Sequence, residues 1–230
     1  MNRLLAALPR KDYLRMAKHF ELVELTYAEI LYEPGKPILH AYFPIDSLVS
    51  LLTLVDGRLA LEVGMVGSEG MVGFPLALDI LTSPVRALVQ GSGRALKMDA
   101  TQFRKQLTLS AALRQELQRY IYALMAQISQ TAACNRFHGV DLRLARWLLM
   151  TRDRLRSADI HLTHEFLGHM LGVRREGVTE AAGKMQKAGL IEYNHGDIQI
   201  LDDKRLEAAS CDCYVPVKDM VELVTPMAKS

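Results

Sequence analysis

Between Leu162 and Leu190 the apolar positions recur three or four residues apart, break, and then resume. Phe166, Leu167, Met170 and Leu171 fall on one face of a first short helix. Gly172 and Val173 interrupt it, and glycine takes the positive φ that a tight turn needs. Val178, Ala181 or Ala182, and Met185 give a second helix its buried face. The other face carries Arg174, Arg175, Glu176, Thr179 and Glu180, with Lys184 a turn further on. Ala188-Gly189-Leu190 stops that helix. Ile191 and Tyr193, then Ile198 and Ile200, alternate with polar residues around the turn Asn194-His195-Gly196-Asp197. The pattern predicts helix, turn, helix and a small hairpin lying beside them as a wing.

Upstream the period changes. A small amphipathic helix is expected at the N-terminus, with Leu4, Leu5, Leu8 and Met16 inward. From about Tyr27 to Met98 the chain reads as strands and turns: Ile38 to Phe43, Leu48 to Val55, Leu59 to Val66, Val85 to Val89, Arg94 to Met98. Asp56-Gly57 is a hairpin signal. Gly64, Gly67, Gly70 and Gly73 recur at three-residue spacing, as a tightly coiled β-roll requires where backbones pass close together.

No Gly or Pro lies between Gly93 and Gly139, and about 110–135 reads as one long helix. It carries two apolar stripes. One holds Leu113, Leu117, Tyr120 and Leu124, near a heptad repeat; the other holds Ile121, Met125, Ile128 and Ala132. A helix lying on one core needs one stripe, so two suggest that one packs on its own domain and the other, taken as the Leu113–Leu124 stripe, meets a second subunit; the alternative is a helix buried on two sides within one chain. Asn135 to Asp141 is a hinge, and Leu142 to Leu155 a further helix with Leu144, Trp147, Leu148 and Leu155 inward. Lys204 to Ala209 reads as a short helix, and Pro216 to Ser230 as a tail that is not compact.

The chain has 230 residues, enough for two modest domains, and half of them are hydrophobic. No apolar run reaches the roughly 18 residues of a membrane span, and the N-terminal apolar stretch is too short for a signal peptide. Three cysteines are too few for a disulfide scaffold, which points to a reducing, cytoplasmic setting. A net charge of +2 indicates no partner by itself. The position of the charges does.

Helix N-termini are positive, and Arg174 and Arg175 stand at one where Ser, Thr, Asp or Asn would ordinarily cap. A phosphate or a guanine edge would compensate. This is the layout of a helix-turn-helix whose second helix enters the DNA major groove.

No catalytic constellation emerges, and the chain is not expected to be an enzyme. His164 and His169 are five apart, off the i, i+4 spacing of a zinc-protease helix. Gly67-Ser68-Glu69-Gly70 lacks the spacing of a nucleophile elbow, and Gly91-Ser92-Gly93 lacks the third glycine of a dinucleotide site. Cys211 and Cys213, with His195 as a possible third ligand, could hold zinc or respond to oxidants, but packing is the favoured reading. Cys134 is read as apolar filling. No metal site and no cofactor is assigned.

The segment GVRREGVTEAAGKMQKAGLIEYNHGDIQIL resembles the DNA-binding domain of the Crp/Fnr transcriptional regulators, and the resemblance extends over nearly the whole chain. It implies an α+β fold: an N-terminal cyclic-nucleotide-binding-like β-roll with a long dimerisation helix in residues 1–136, and a winged helix-turn-helix in 137–230. It implies a homodimer on double-stranded DNA with a near-palindromic operator, and RNA polymerase as a partner. Arg175 and Glu176 are then the base readers, supported by Arg174, Thr179, Glu180 and Lys184. Family members often carry Arg four residues after the Glu; here Glu180 reverses that sign. In cyclic-nucleotide-binding relatives a Gly-Glu-Leu segment precedes Arg and then Ser or Thr. The matching positions here are Gly73, Phe74, Arg86 and Ala87, so cyclic AMP is not expected as the effector. No cysteine precedes Cys134, which argues against the iron–sulfur cluster of Fnr-type oxygen sensors. The rival reading is a small-molecule sensor that acts through protein contacts and no longer reads DNA.

Overall fold

A computed structural model describes residues 1–56, 59–155, 157–194 and 196–224. Two sequence-level expectations, the turn at Gly57 and the ligand His195, fall outside them. The N-terminal helix is two helices, α1 (Arg3–Ala6) and α2 (Arg10–Ala17), with Pro9 at the N-cap of the second. Proline has no N–H to continue a helix and suits its start, so the expected single helix breaks there. Leu4, Leu5, Leu8 and Met16 are all buried, as the pattern required.

Seven strands follow: β1 (Glu21–Leu25), β2 (Ile30–Tyr32), β3 (His40–Pro44), β4 (Leu48–Val55), β5 (Leu59–Val66), β6 (Arg86–Gly91) and β7 (Gly93–Asp99). They form two antiparallel sheets, β1-β7-β3 and β2-β6-β4-β5. This is the expected roll. Two of its glycines are dictated by space. A Cβ on Gly70 would come 2.1 Å from the Tyr120 ring, and Gly73 sits at φ +91° with the His40 carbonyl 3.0 Å from where its Cβ would be.

Then come α3 (Ala100–Leu109) and the long helix α4 (Ala111–Phe137), capped by Ser110, whose Oγ accepts from the Leu113 N–H at 3.1 Å. The assignment of its two stripes is corrected here. Leu113, Leu117, Tyr120 and Leu124 are buried in the chain's own roll, in one cluster with Phe43, Met71 and Leu76. A heptad-like spacing describes any straight apolar seam, and a sheet underneath reads it as well as a second helix does. The unpartnered seam is the opposite one: Gln118, Tyr122, Met125, Ser129, Ala132 and Arg136 are exposed at alternating spacings of four and three.

His138 and Gly139 link α4 to α5 (Val140–Leu155). β8 (Asp159–His161), α6 (His164–Leu171), α7 (Arg175–Lys187), β9 (Ile191–Asn194), β10 (Asp197–Ile200), α8 (Asp203–Ala208) and α9 (Tyr214–Val224) complete the fold. The wing is a three-stranded sheet, β8-β10-β9, so the expected hairpin gains a strand. The tail expectation is corrected as far as Val224, residues 225–230 lying outside the described ones: α9 is a helix packed on α4 and α5, with Tyr214, Val217 and Val224 buried. Their spacing is helical, but Pro216 in the first turn reads as a breaker unless that position is recognised as tolerant.

One feature joins the halves. Leu48, Leu52 and Met65 of the roll share a core with Leu144, Trp147 and Leu148 of α5. Three polar links from one face of α5 cross the same boundary. Trp147 Nε1 donates to Glu62 at 2.9 Å, Gln90 Nε2 donates to Thr151 Oγ1 at 3.1 Å, and Arg154 Nε donates to Glu69 at 2.8 Å. Among the described residues no helix is long and apolar enough to cross a membrane.

Candidate nucleic-acid interface

The two-helix unit is built by its core face. Leu167, Met170 and Leu171 of α6 and Val178, Ala181, Ala182 and Met185 of α7 are buried together with Ile160, Ile191, Ile198 and Ile200 of the wing sheet. Thr163 caps α6, its Oγ1 accepting from the Phe166 N–H at 3.2 Å. Gly172 ends α6 at φ +62°, the left-handed turn foreseen. Its missing Cβ matters twice, because one there would lie 2.8 Å from Leu61 of β5.

Arg174 is the N-cap of α7 and supplies no side-chain cap, so the positive end of that helix is left to outside partners. Arg174, Arg175, Glu176, Thr179, Glu180 and Lys184 are all exposed. Arg175, Glu176, Thr179 and Glu180 line one shallow depression on the outer face of α7. Lys184 is tied down within the chain, 3.0 Å from Glu180 and 3.2 Å from Asp141 of α5. Its charge is therefore shared with two carboxylates, while no described carboxylate pairs with Arg174 or Arg175.

One contributor escaped the sequence reading. His164 stacks on Tyr193 of the wing, ring centroids 4.0 Å apart, and its Nδ1 lies 3.0 Å from Thr179 Oγ1. The Thr179 hydroxyl donates to the Arg175 carbonyl at 3.0 Å, so Nδ1 carries the hydrogen that reaches Thr179. Burial, and then the Arg175 charge, hold the imidazole pKa below its usual value. A neutral histidine thus links α6, α7 and the wing behind the exposed face. Nothing in the local spacing announces that contact.

Of the four positions matched to a nucleotide pocket, Gly73 and Ala87 are buried and Arg86 is paired within the chain. Arg86 makes a bidentate pair with Glu33, both bonds 2.9 Å. Ala87 is buried opposite Tyr32 of β2, whose own burial pushes its phenol up to about 12. Gly73 is buried and Phe74 half-buried at the start of a short 3₁₀ turn, Phe74–Leu78. Tyr32, Met71, Leu76 and Tyr120 fill the roll interior.

With this geometry in hand, the comparisons are specific. Residues 142–209 match the family model of the Crp-like helix-turn-helix domain. No curated protein sequence matches the chain. Solved structures do resemble it. FixK2 from Bradyrhizobium japonicum aligns at TM-score 0.71 and 14% identity, covering 84% of this chain and 98% of its own. A Crp-family transcriptional regulator from Thermus thermophilus aligns at TM-score 0.69 and 18% identity, over 82% and 96% of the two chains. The c-di-GMP-responsive global regulator CLP of Xanthomonas campestris aligns at TM-score 0.64 and 17% identity, over 84% and 100%. The Thermus and Xanthomonas proteins are described as regulators. Residues 142–209 form a Crp-like helix-turn-helix DNA-binding domain, and the chain as a whole has the fold of the Crp/Fnr transcriptional regulators.

Proposed function

We propose that the protein is a cytoplasmic, homodimeric regulator that reads double-stranded DNA, with Arg175 and Glu176 facing base edges and Arg174 and Thr179 as supporting contacts to backbone or bases. The observation that carries the reading is the exposed, uncapped N-terminus of α7 with two adjacent arginines that no carboxylate among the described residues pairs with. Arginine suits guanine O6 and N7, and a carboxylate accepts from cytosine N4. Glu180 and Lys184 neutralise each other, which makes them weaker candidates for direct readout than the sequence suggested.

Two-fold pairing follows from the exposed seam of α4, centred on Tyr122 and Met125, each 61% exposed. A symmetric dimer implies half-sites about one helical turn apart and a near-palindromic operator. RNA polymerase is the further partner that the sequence resemblance implies. The decisive experiment is to select and sequence the fragments retained by the purified protein from a random duplex library, then repeat with Arg175→Ala. Arg175→Ala is expected to lose discrimination at one symmetric base position by roughly 1–3 kcal/mol. An unchanged recovered motif would remove the base-reading role.

A further inference from the structure

The three cysteines are far apart in sequence and together in space. Cys134 lies in the last turn of α4, and His138 is the residue that caps it, four positions on. Cys211 and Cys213 lie in the turn between α8 and α9. Cys134 Sγ is 3.5 Å from Cys211 Sγ, and Cys213 Sγ is 3.5 Å from His138 Nδ1. The three sulfurs and one histidine nitrogen all lie within 4.8 Å of one another. All three cysteines are buried and none is in a disulfide.

We propose that Cys134, His138, Cys211 and Cys213 form a structural zinc site that clamps the end of the long helix, and the linker after it, to the C-terminal segment. The spacing is what a tetrahedral ion needs. Bonds of about 2.3 Å to sulfur and about 2.0–2.1 Å to nitrogen put neighbouring ligand atoms roughly 3.6–3.8 Å apart. The observed 3.5 Å separations are within a few tenths of that. They are far from the about 2.05 Å of a disulfide. A cluster of several irons would need a wider cage than one spanned by 4.8 Å. Three thiolates and an imidazole, with every position supplied by protein, are a closed set that suits zinc in a structural and not a catalytic role.

Two further observations fit an anionic centre here. Gln130 Nε2 points at Cys213 Sγ from 3.0 Å, a donor suited to a metal-bound thiolate. Arg143 and Arg146, in the first turns of α5, are buried. Among the described residues each guanidinium donates a single hydrogen bond, to the Leu171 carbonyl and to Thr131 Oγ1, and leaves its Nε unpartnered. Buried guanidinium groups remain charged and need counter-charge. A divalent ion on three thiolates and a neutral histidine carries one net negative charge beside them. The ligands deprotonate on binding: three thiol protons leave to solvent as three metal–sulfur bonds form.

The site stands apart from the DNA-reading face, and its test does not depend on DNA. The full-length protein, expressed with zinc in the medium and purified under reducing conditions, should carry one zinc per chain by elemental analysis. Cys211→Ser with Cys213→Ser should abolish this, and Asp212→Asn should leave it intact. Protein stripped by a chelator and titrated with Co²⁺ should develop the intense visible bands of a tetrahedral thiolate site, and zinc should displace them. His138→Cys should keep a tetrahedral ion with shifted bands. Should the serine variants fail to fold, the wild-type zinc content and cobalt spectrum still decide. Wild-type protein without zinc and with only the weak spectrum of hydrated Co²⁺ overturns the proposal. So does a Cys134–Cys211 disulfide in freshly purified protein.

Discussion

Glu62 is buried within the boundary between the roll and α5, and its protonation should set how stability varies with pH. Ser50 Oγ lies 2.6 Å from both Glu62 Oε2 and Gln90 Oε1. One hydroxyl hydrogen cannot serve two acceptors. The arrangement is consistent if the Glu62 carboxyl is protonated and donates to Ser50, which in turn donates to Gln90, while Glu62 Oε1 accepts from Trp147. Burial pushes this carboxyl from its ordinary 4.5 up to about 7, against the opposing pull of its hydrogen bonds and of Arg146 and Arg154. A raised carboxyl pKa means that the folded state holds a proton which the unfolded state releases. The stabilisation is therefore fully present below pH 4.5, declines between pH 4.5 and 7, and is gone above it. At 1.36 kcal/mol per pH unit the loss comes to about 3 kcal/mol. Glu62→Gln reproduces the protonated form: its carbonyl accepts from Trp147 and its amide donates to Ser50. Urea unfolding of both proteins, at one protomer concentration and a series of pH values, isolates the effect, because every other titrating group is common to the pair. The two should be nearly equally stable at pH 4.5 and diverge to about 3 kcal/mol in favour of Glu62→Gln by pH 8. Parallel profiles across that range would refute the assignment of the proton.

Three further outcomes are expected. Gly70→Ala should destabilise by about 1–3 kcal/mol, at the upper end because Tyr120, whose ring the new methyl would meet at 2.1 Å, is pinned by its hydrogen bond to the Met71 carbonyl at 3.0 Å; Tyr120→Leu in the same chain should recover part of it in thermal melts. Met125→Glu should yield a folded monomer in sedimentation and weaken operator binding, whereas Leu117→Asp should lose the helical circular-dichroism signal; a folded, monomeric Leu117→Asp would restore the opposite seam as the interface. Calorimetry with cyclic AMP should give no binding heat, since Arg86 is already held by Glu33; micromolar binding coupled to tighter DNA binding would contradict this.

The parts of the molecule that were legible from sequence are those governed by local period. Phe166 to Met185 announced two helices and their buried faces because each apolar position has its partner within four residues. Gly172 announced its turn because only the backbone decided it. The seam of α4 is ambiguous in sequence for the complementary reason: Leu117 and Leu124 look alike whether they meet a strand of the same chain or another helix. Partners remote in sequence were invisible. Nothing near His164 points to Tyr193, and nothing near Glu69 points to Arg154. The cysteine cluster was half legible. Cys134 and His138 are one helical turn apart, a ligand spacing in plain view, but their convergence with Cys211 depends on α9 folding back along α4. Pro216 concealed that helix.

The shared core under α5 bears on how such proteins can be recombined. Trp147, Thr151 and Arg154 meet Glu62, Gln90 and Glu69 across the boundary between the halves. A chimera cut at His138–Gly139 that kept this roll but took an α5 without counterparts of Trp147 and Arg154 would strand a carboxylate in the Arg154–Glu69 pair, both side chains only 6% exposed, and leave Glu62 without the indole it meets. Breaking such a pair from one side costs about 3–5 kcal/mol, a sizeable part of what holds an ordinary domain together. Functional transplants would have to move the roll face and α5 as a single graft, so the unit of inheritance here is the seam itself, not either half alone.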